Sequence, residues 1–262
     1  MTADLEYAEC MDIIDSYLHC GLTKYRPIED VETTIAAAGV SRAVIVQHLG
    51  EYDNSYIRRI VEGQPSRFAG VCLVDHRDNR AERNLKALLG EGPFRGVRLT
   101  SDVLREAPGM FAAAADVGGV IVFYAPEGIP RSVDTLVRFL DSHPDCRMVV
   151  THLGNPGIEK PPGFDQHRVL FRLSSYAGVY LQISGMEMFF PYPHEPLYPL
   201  IGEAARAFGT ERLVWGSNFP VVGGIEEYTK ELRLLLAGRL PVPEASIPAI
   251  AGGNARALWF AD

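Results

Sequence analysis

The stretch Asp15-Ser16-Tyr17-Leu18-His19 (residues 15–19) closes the first apolar run of the chain. Side chains alternate along a strand, so Tyr17 and His19 should point to one side, and Ser16 and Leu18 to the other. Two polar aromatic rings therefore leave the end of one buried strand in the same direction. We expect this strand end to open into a site that binds a small molecule.

The rest of the chain repeats the pattern of a short apolar run followed by a helical pattern. The runs are rich in Val and Ile and nearly continuous in apolarity, which is typical of parallel strands that helices cover on both faces. The candidate strands are Asp12–Tyr17, Arg42–Gln47, Ala69–Val74, Gly96–Leu99, Val120–Tyr124, Arg147–His152, Val179–Ser184 and Arg212–Ser217. Eight strands, each followed by a helix, predict an α/β fold of the (β/α)8 TIM-barrel type.

Signals for helix ends support this alternation. Pro27 should open the first helix and Gly39 should end it. Asp53 and Asp78 are candidate N-caps of the next two helices. The later helical patterns are Met110–Val117, Ser132–Ser142, His167–Tyr176, Leu197–Phe208 and Ile225–Ala237, and the segment Ala251–Ala255 should break two short terminal helices.

A doubly wound open sheet is the alternative fold. Such a sheet needs a topological switch point and usually a phosphate-binding loop. The chain contains neither a G-x-G-x-x-G motif nor a P-loop,. We therefore expect the barrel, as a single domain over residues 11–262 that follows a short N-terminal extension, residues 1–10.

Composition narrows the function class. The chain is 47% hydrophobic and 22% charged, and its formal net charge is -8. An acidic protein is a poor match for nucleic acid or an anionic membrane, so we expect a small-molecule partner, with a homo-oligomer left open. The first ten residues lack the basic residues of a targeting peptide, and the four cysteines form no C-x-x-C pair,. These features favour a cytoplasmic location with reduced thiols.

Polar side chains end four further apolar stretches or follow them. His152 is an acid/base candidate if it meets His19, and otherwise a structural histidine. Arg98 lies within an apolar strand, so it either pairs with a carboxylate of the protein or binds one of a substrate. Tyr124 is a core residue or a ligand-binding hydroxyl, and Asn218 is a site residue or a turn asparagine before Pro220.

Four motifs carry a family resemblance across almost the whole chain. They are Ile-Ile-Asp-Ser-x-x-His-x-Gly (13–21), Thr-His-Leu-Gly (151–154), Trp-Gly-Ser-x-Phe-Pro (215–220) and Gly-Gly-Asn-Ala (252–255). Their order and spacing resemble the amidohydrolase-2 branch of the amidohydrolase superfamily. That branch includes metal-independent sugar and pyrone-dicarboxylate lactonases and zinc-dependent decarboxylases, so the resemblance also implies a barrel.

The resemblance also implies a set of site residues, from which this chain departs at two positions. The family places a His-x-His on the first strand, a histidine on a middle strand and an aspartate after the eighth. Here Tyr17, His19, His152 and Asn218 occupy these positions. A neutral tyrosine and an amide are poor metal ligands, whereas zinc normally takes three or four good ones. We therefore expect no cofactor, with zinc weakly held by His19 and His152 as the alternative.

The mechanism is affected by the same departures. The aspartate that activates water in the lactonases is replaced by Asn218, so His19 or His152 must serve as the base. Glu187, in the long loop after the seventh strand, is a further candidate, although an exposed loop carboxylate is its ordinary interpretation. Arg98 matches an arginine that such lactonases use on a substrate carboxylate or carbonyl.

Three functions remain open from the sequence. The leading one is metal-independent hydrolysis of a lactone or cyclic ester, with Arg98 and Tyr124 binding the substrate. The second is a non-hydrolytic lyase, a decarboxylase or cyclising enzyme, with Tyr17 as the acid. The third is a catalytically inactive barrel that binds a metabolite. The aromatic loop Met186–Tyr192 suggests a partly apolar lid, or it simply packs the loop.

Overall fold

Eight parallel strands form the frame of the computed structural model, which describes residues 11–158 and 164–261. The strands are β1 Ile14–Leu18, β2 Arg42–Val46, β3 Phe68–Cys72, β4 Phe94–Thr100, β5 Val120–Tyr124, β6 Met148–Val150, β7 Val179–Ile183 and β8 Leu213–Trp215. They pair in chain order, each with the next. The predicted (β/α)8 barrel is confirmed, whereas the predicted extension, residues 1–10, lies outside the described residues.

Strand alternation separates two apolar layers. Val44 and Val46 belong to an inner cluster with valines of four other strands, while Ala43 and Ile45 pack in the outer layer under the helices. β-branched side chains suit both layers because they fill a pleated surface with little loss of rotamer freedom. Trp259, near the C-terminus, belongs to the same inner cluster.

Helices follow the strands and cover the outer layer. They are α1 Ile28–Ala37, α2 Ser55–Gly63, α3 Ala81–Gly90, α4 Ser101–Glu106, α5 Gly109–Asp116, α6 Val133–Ser142, α7 Tyr198–Phe208, α8 Ile225–Leu236 and α9 Asn254–Trp259. Helix α4 was not predicted, and the predicted helix after β6 is instead a 3₁₀ helix, His167–Ser175. No helix within the described residues is both long and apolar enough to cross a membrane.

The helix-end signals were right for α1, and the predicted bounds of α5, α6, α7 and α8 agree with the structure to within one residue. Gly39 adopts a φ of 74° just beyond α1, as a terminating glycine should,. Asp53 and Asp78 are not N-caps, because α2 and α3 begin at Ser55 and Ala81. Each carboxylate instead accepts a hydrogen bond from the backbone N–H two residues further on, Ser55 for Asp53 and Arg80 for Asp78.

The predicted break at the glycines near the C-terminus was wrong. A π-helical turn, Ala249–Gly253, runs directly into α9. Gly252 serves a different purpose, since a Cβ there would lie 1.7 Å from the carbonyl oxygen of Asp12. Its missing side chain lets the turn lie against the chain that enters β1.

Asp15 joins the last strand to the first. Its buried carboxylate accepts hydrogen bonds from the Ser217 backbone at 2.9 Å, the Ser217 hydroxyl at 2.5 Å and the Tyr228 hydroxyl of α8 at 3.0 Å. The Asn218 backbone N–H donates to the Tyr17 carbonyl at 2.9 Å. Side-chain bonds therefore supplement the short backbone contact between β1 and β8.

The alternation expected along β1 breaks at its end. The pairing of β1 with β2 shifts register between Asp15 and Leu18, which is the signature of a bulge. Leu18 packs in the outer layer as expected, but Ser16 reaches Gln182 on β7. Gln182 lies between the outer-layer residues Leu181 and Ile183, so Ser16 and Tyr17 both face the barrel interior.

Candidate active site

The carboxyl ends of the strands bring most of the predicted site residues into contact. The Tyr17 ring lies 5.1 Å from the His19 ring and 4.8 Å from the His152 ring, centroid to centroid. The Arg98 guanidinium carbon lies 5.8 Å from the Tyr17 ring centroid and 5.1 Å from that of Tyr124. Residues from β1, β4, β5 and the segment after β6 thus converge on one end of the barrel, where TIM-barrel active sites lie.

His152 does not end a strand. β6 stops at Val150, and His152 begins a 3₁₀ turn with a φ of 53°. Asn218 follows β8 with a similar φ of 58°. Left-handed backbone is uncommon and costly for residues other than glycine, and such strain is concentrated at functional sites.

Both histidines are buried and use Nδ1 within the protein. Nδ1 of His19 lies 2.6 Å from the Val46 carbonyl, which can only accept, so it carries the hydrogen,. Burial, and then the charge of Arg98, lowers the pKa of His19 well below its usual range and that of His152 to about 3. Neither ring therefore titrates near neutral pH, contrary to the expectation for a general base.

Arg98 has no carboxylate partner within the described residues. It is 6% exposed, and its Nη1 donates a hydrogen bond to the Gln47 carbonyl at 3.3 Å. Its Nε is buried without a partner, as is the hydroxyl of Tyr17. Burial also raises the pKa of Tyr17 to about 12, so its hydroxyl keeps its proton. The site therefore offers a cation and an O–H donor to an acceptor atom of a ligand.

Glu187 is not the exposed loop carboxylate that its sequence context suggested. The loop after β7 turns it inward, and the Asn218 amide donates to its Oε1 at 2.8 Å. Its Oε2 is buried without a partner. Burial raises the pKa of Glu187 above its usual value, although the Asn218 hydrogen bond opposes this. Asn218 thus holds a carboxylate next to the position at which the family resemblance implies one.

The sequence analysis missed several residues of the site. Tyr25 stacks on His19 at 4.9 Å with an interplanar angle of 6°, and His48 lies edge-on to Tyr25 at 5.3 Å. Ser184, just beyond β7, contacts His152. His48 and Ser184 follow or end predicted strands, so the strand-end rule could have found them, whereas Tyr25 lies in a loop without a comparable signal.

The aromatic loop after β7 is partly apolar and partly open. Met186 is buried, whereas Met188 and Tyr192 are 41% and 49% exposed. Beside it lies a cavity of about 310 Å³, whose lining includes Glu187 and Tyr192. The loop packs on the barrel through its inner residues and leaves its outer residues in solvent.

The donor set of the site does not fit a catalytic zinc ion. Within residues 11–158 and 164–261, no three His, Cys, Asp or Glu side chains cluster closely enough to hold a metal. Tyr17 stays protonated, and the Asn218 amide donates to Glu187. Two imidazoles alone fall short of the three protein ligands that catalytic zinc normally uses.

The barrel and its polar strand ends define an enzyme-like site, and comparison with known sequences defines the family. A model of the amidohydrolase family, Amidohydro_2, matches residues 19–261. The chain therefore belongs to the amidohydrolase family. Over 202 residues it is 27% identical to the L-fucono-1,5-lactonase of Burkholderia ambifaria, covering 74% of this chain and 69% of that protein.

Solved structures share the fold. One provisionally named 2-pyrone-4,6-dicarboxylic acid hydrolase, from Pseudomonas putida, has a TM-score of 0.77 and 22% identity over 95% of this chain and 97% of its own. The 5-carboxyvanillate decarboxylase of Sphingomonas paucimobilis has a TM-score of 0.66 and 14% identity over 96% of this chain and 100% of its own. Hydrolases and decarboxylases thus share this architecture.

Proposed function

We propose that this protein is a hydrolase that opens a lactone or similar cyclic ester of a small carboxylated or aromatic metabolite without a metal ion. The observation that carries the proposal is Arg98, a buried arginine without a carboxylate partner among the described residues. The partly buried carboxylate of Glu187, held by Asn218, lies in a loop at the same end of the barrel. Its support includes membership of the amidohydrolase family and a relative named as a lactonase. The Pseudomonas putida structure, also named as a hydrolase, agrees with this class.

Arg98 indicates a negatively charged substrate. A buried guanidinium without a counter-ion is costly, and a carboxylate that accepts hydrogen bonds from its free N–H groups would remove that cost. Tyr17 and Tyr124 flank the guanidinium through their ring faces, which leaves its edge for the substrate. A flat, carboxylated ring fits a pocket with aromatic walls better than a bare sugar does.

Glu187 is the group best suited to activate water. The two histidines are weak bases here, since burial and Arg98 lower their pKa values. Glu187 has the opposite shift, a raised pKa, and a carboxylate with a raised pKa is a stronger base. The Asn218 amide holds its Oε1 and leaves Oε2 for the water.

The proposed reaction consumes only the lactone and one water molecule. Glu187 takes a proton from water, and the water oxygen adds to the lactone carbonyl carbon. The Tyr17 O–H donates a hydrogen bond to the developing oxyanion, as an oxyanion hole does. The ring C–O bond breaks, and the proton held by Glu187 passes to the leaving oxygen, which gives the open hydroxy acid. His19 and His152 accept hydrogen bonds from the water and the substrate.

The test is hydrolysis in H₂¹⁸O with carboxylated lactones, including a pyrone dicarboxylate and a sugar lactone as probes. We expect one solvent oxygen in the product carboxylate, no loss of rate with chelators, and loss of turnover in a His19→Ala, His152→Ala double variant. Product without ¹⁸O would exclude hydrolysis. Unchanged turnover in the double variant would exclude this site.

A lyase is the second candidate, because the Tyr17 hydroxyl is buried, unpartnered and protonated, as a general acid requires. One neighbour is named as a decarboxylase. The isotope experiment separates the two reactions, since a lyase leaves solvent oxygen out of its product. Binding of these probes without any turnover would instead favour the inactive, metabolite-binding barrel.

The same proposal includes a cytoplasmic setting and small-molecule partners, with a homo-oligomer left open. The described cysteines, Cys20, Cys72 and Cys146, are free and buried. Burial raises the pKa of each thiol to about 12, so they do not react as nucleophiles near neutral pH,. Such thiols suit a reducing compartment and take no part in the chemistry.

A further inference from the structure

We propose that Gln182 and Ser184 are positioning residues that fix the tautomer of His152, so that its Nε2 presents a lone pair to the site. The proposal rests on a continuous hydrogen-bond chain that crosses the barrel interior from β8 through β1 and β7 to His152. Neither residue touches the reacting atoms. Each acts through His152.

The chain has four links. The Ser16 hydroxyl donates to the Trp215 carbonyl at 2.5 Å, and the Gln182 amide lies 2.9 Å from that hydroxyl and 3.2 Å from the Ser16 carbonyl. The Ser184 hydroxyl lies 3.0 Å from Oε1 of Gln182. Nδ1 of His152 lies 2.8 Å from the same hydroxyl. Ser16, Gln182, Ser184 and His152 are each no more than 2% exposed.

Two backbone carbonyls set the direction of every link, because a carbonyl oxygen can only accept. The amide nitrogen of Gln182 must therefore face the Ser16 carbonyl, which turns Oε1 towards Ser184. Oε1 also only accepts, so the Ser184 hydroxyl must donate to it. That hydroxyl has one hydrogen, and its remaining link to His152 must be as an acceptor. Nδ1 of His152 consequently carries the hydrogen, and Nε2 does not.

The opposite tautomer would break the chain. If Nδ1 of His152 accepted instead, Ser184 would donate to the ring and leave Oε1 of Gln182 unpaired in the barrel interior. A buried polar atom without a partner costs about 1–3 kcal/mol. That cost corresponds to a preference for the Nδ1–H form of roughly 5- to 150-fold at 25 °C.

Packing holds the ring in the same orientation. A Cβ on Gly185 would lie only 2.6 Å from Nδ1 of His152, so the backbone after β7 supports that edge of the ring closely. The His152 ring is also nearly perpendicular to the rings of Tyr17 and Tyr124, with centroids 4.8 Å and 5.7 Å away. Nε2 has no recorded hydrogen-bond partner among the described residues, and it is left for a water or a substrate hydroxyl.

The first test is a spectroscopic one that needs no substrate. Two-bond ¹H–¹⁵N correlation spectra of the ¹⁵N-histidine-labelled full chain distinguish a protonated ring nitrogen from an unprotonated one. His152→Gln identifies the signal. We expect protonation at Nδ1 in the native protein. In Ser184→Ala we expect a substantial share of the Nε2–H form, and Ser184→Thr should restore the native spectrum by returning the hydroxyl.

Thr151→Val is the matched control, because it removes a buried hydroxyl beside His152 that bonds the Phe123 carbonyl at 3.0 Å instead of the chain. Its spectrum should match the native one. A native His152 with its hydrogen on Nε2 would overturn the proposal. An unchanged tautomer in both Ser184→Ala and Gln182→Met would overturn it equally.

The second test rests on the proposed function and is read separately. With a lactone that the enzyme turns over, Ser184→Ala should lower kcat about 10- to 100-fold with little change in KM, as loss of a histidine-orienting partner does elsewhere. A changed tautomer with an unchanged kcat would show that the chain orders His152 but that the reaction does not use its lone pair. In that outcome the proposed catalytic role of His152 fails, while the assignment of the tautomer stands.

Discussion

At the scale of single residues, Tyr17 and Asn218 are the two positions that set the proposed chemistry. The family resemblance implies a histidine and an aspartate there, so we propose that the two departures cost the site two metal ligands and one base. The structure places Glu187 within hydrogen-bond distance of Asn218, at 2.8 Å. We propose that this amide and carboxylate together take the place of a single aspartate, with the carboxylate supplied by the loop after β7.

Replacing Glu187 tests this substitution directly. We expect Glu187→Gln to lower kcat about 10²- to 10⁴-fold, the usual range for loss of a general base. In the native enzyme the base must be ionised, so kcat/KM should fall as the pH drops through the raised pKa of Glu187, above its usual value of 4.5. The variant should lack this acidic limb.

Glu195→Gln is the control for that experiment, because Glu195 is an exposed carboxylate in the same loop. It should leave both the rate and the pH profile unchanged. A Glu187→Gln enzyme that kept the acidic limb would assign the titration to another group.

Arg98 should act on substrate affinity. Arg98→Met removes a charge-assisted hydrogen bond of about 1.5–3 kcal/mol, so KM for a carboxylated lactone should rise about 10- to 100-fold. Arg95→Met, at an exposed arginine of the same strand, should leave KM unchanged. A lactone without the carboxylate should have the same KM with Arg98→Met as with the native enzyme. An unchanged KM of Arg98→Met for the carboxylated lactone would contradict the assigned role.

At the scale of elements, the end of β7 supports the segment after β6. Gly185 has a φ of 63° and packs against the His152 ring, so a Cβ at this position would lie 2.6 Å from Nδ1 of His152. Glycine is required there for both conformation and space. The turn also aims the following residues, including Glu187, towards β8. One loop therefore positions two groups of the site.

Gly185→Ala should both destabilise the protein and disturb catalysis. Gly238→Ala provides the matched comparison, because Gly238 has the same φ of 63° but its nearest neighbour would lie 3.9 Å away. We expect Gly238→Ala to lower the free energy of unfolding by about 1 kcal/mol, the cost of the left-handed backbone alone. Gly185→Ala should cost about 1–3 kcal/mol more and lower kcat. An equal loss of unfolding free energy in the two variants, together with a native kcat in Gly185→Ala, would exclude the contact between Gly185 and His152.

At the scale of the whole molecule, Asp15 secures the closure of the barrel. Its carboxylate receives donors from Ser217 and Tyr228, and from the Tyr17 backbone at 3.1 Å. Burial raises the pKa of Asp15 from 3.8 to about 6, although these hydrogen bonds oppose the shift. The carboxylate is thus costly to bury and is retained where the last strand meets the first.

Asp15→Asn should destabilise the fold strongly. The amide would lose the charge, and its NH2 group would force the Ser217 and Tyr228 hydroxyls to turn from donors into acceptors,. We therefore expect a loss of about 3–5 kcal/mol in urea unfolding, against about 1–3 kcal/mol for Tyr228→Phe, which removes one donor. Because the folded pKa is raised, the stabilising contribution of native Asp15 is greatest below pH 3.8 and is lost as the pH rises through about 6,. The difference between the native protein and Asp15→Asn should therefore be larger at pH 5 than at pH 8, and a difference that grew with pH would contradict the raised pKa.

The sequence by itself determined the barrel. Alternation of short Val- and Ile-rich runs with amphipathic helical patterns is a local signal, because each strand–helix unit contains the whole pattern. It also located Tyr17, His19, Arg98 and Asn218, because polar residues at the ends of apolar runs are visible in one dimension. The predicted N-caps at Asp53 and Asp78 were wrong, since competing turns offer the same hydrogen bonds.

Only the tertiary structure decided how these groups act. Burial raises the pKa of Glu187. Burial, together with the charge of Arg98 on another strand, lowers the pKa values of His19 and His152. The hydrogen-bond chain to His152 joins residues that are up to 199 positions apart in sequence, as in the bond between Ser16 and Trp215. Hydrogen bonding and electrostatic interaction depend on distance in space and on exclusion of water, and neither quantity is written in the local pattern of the chain.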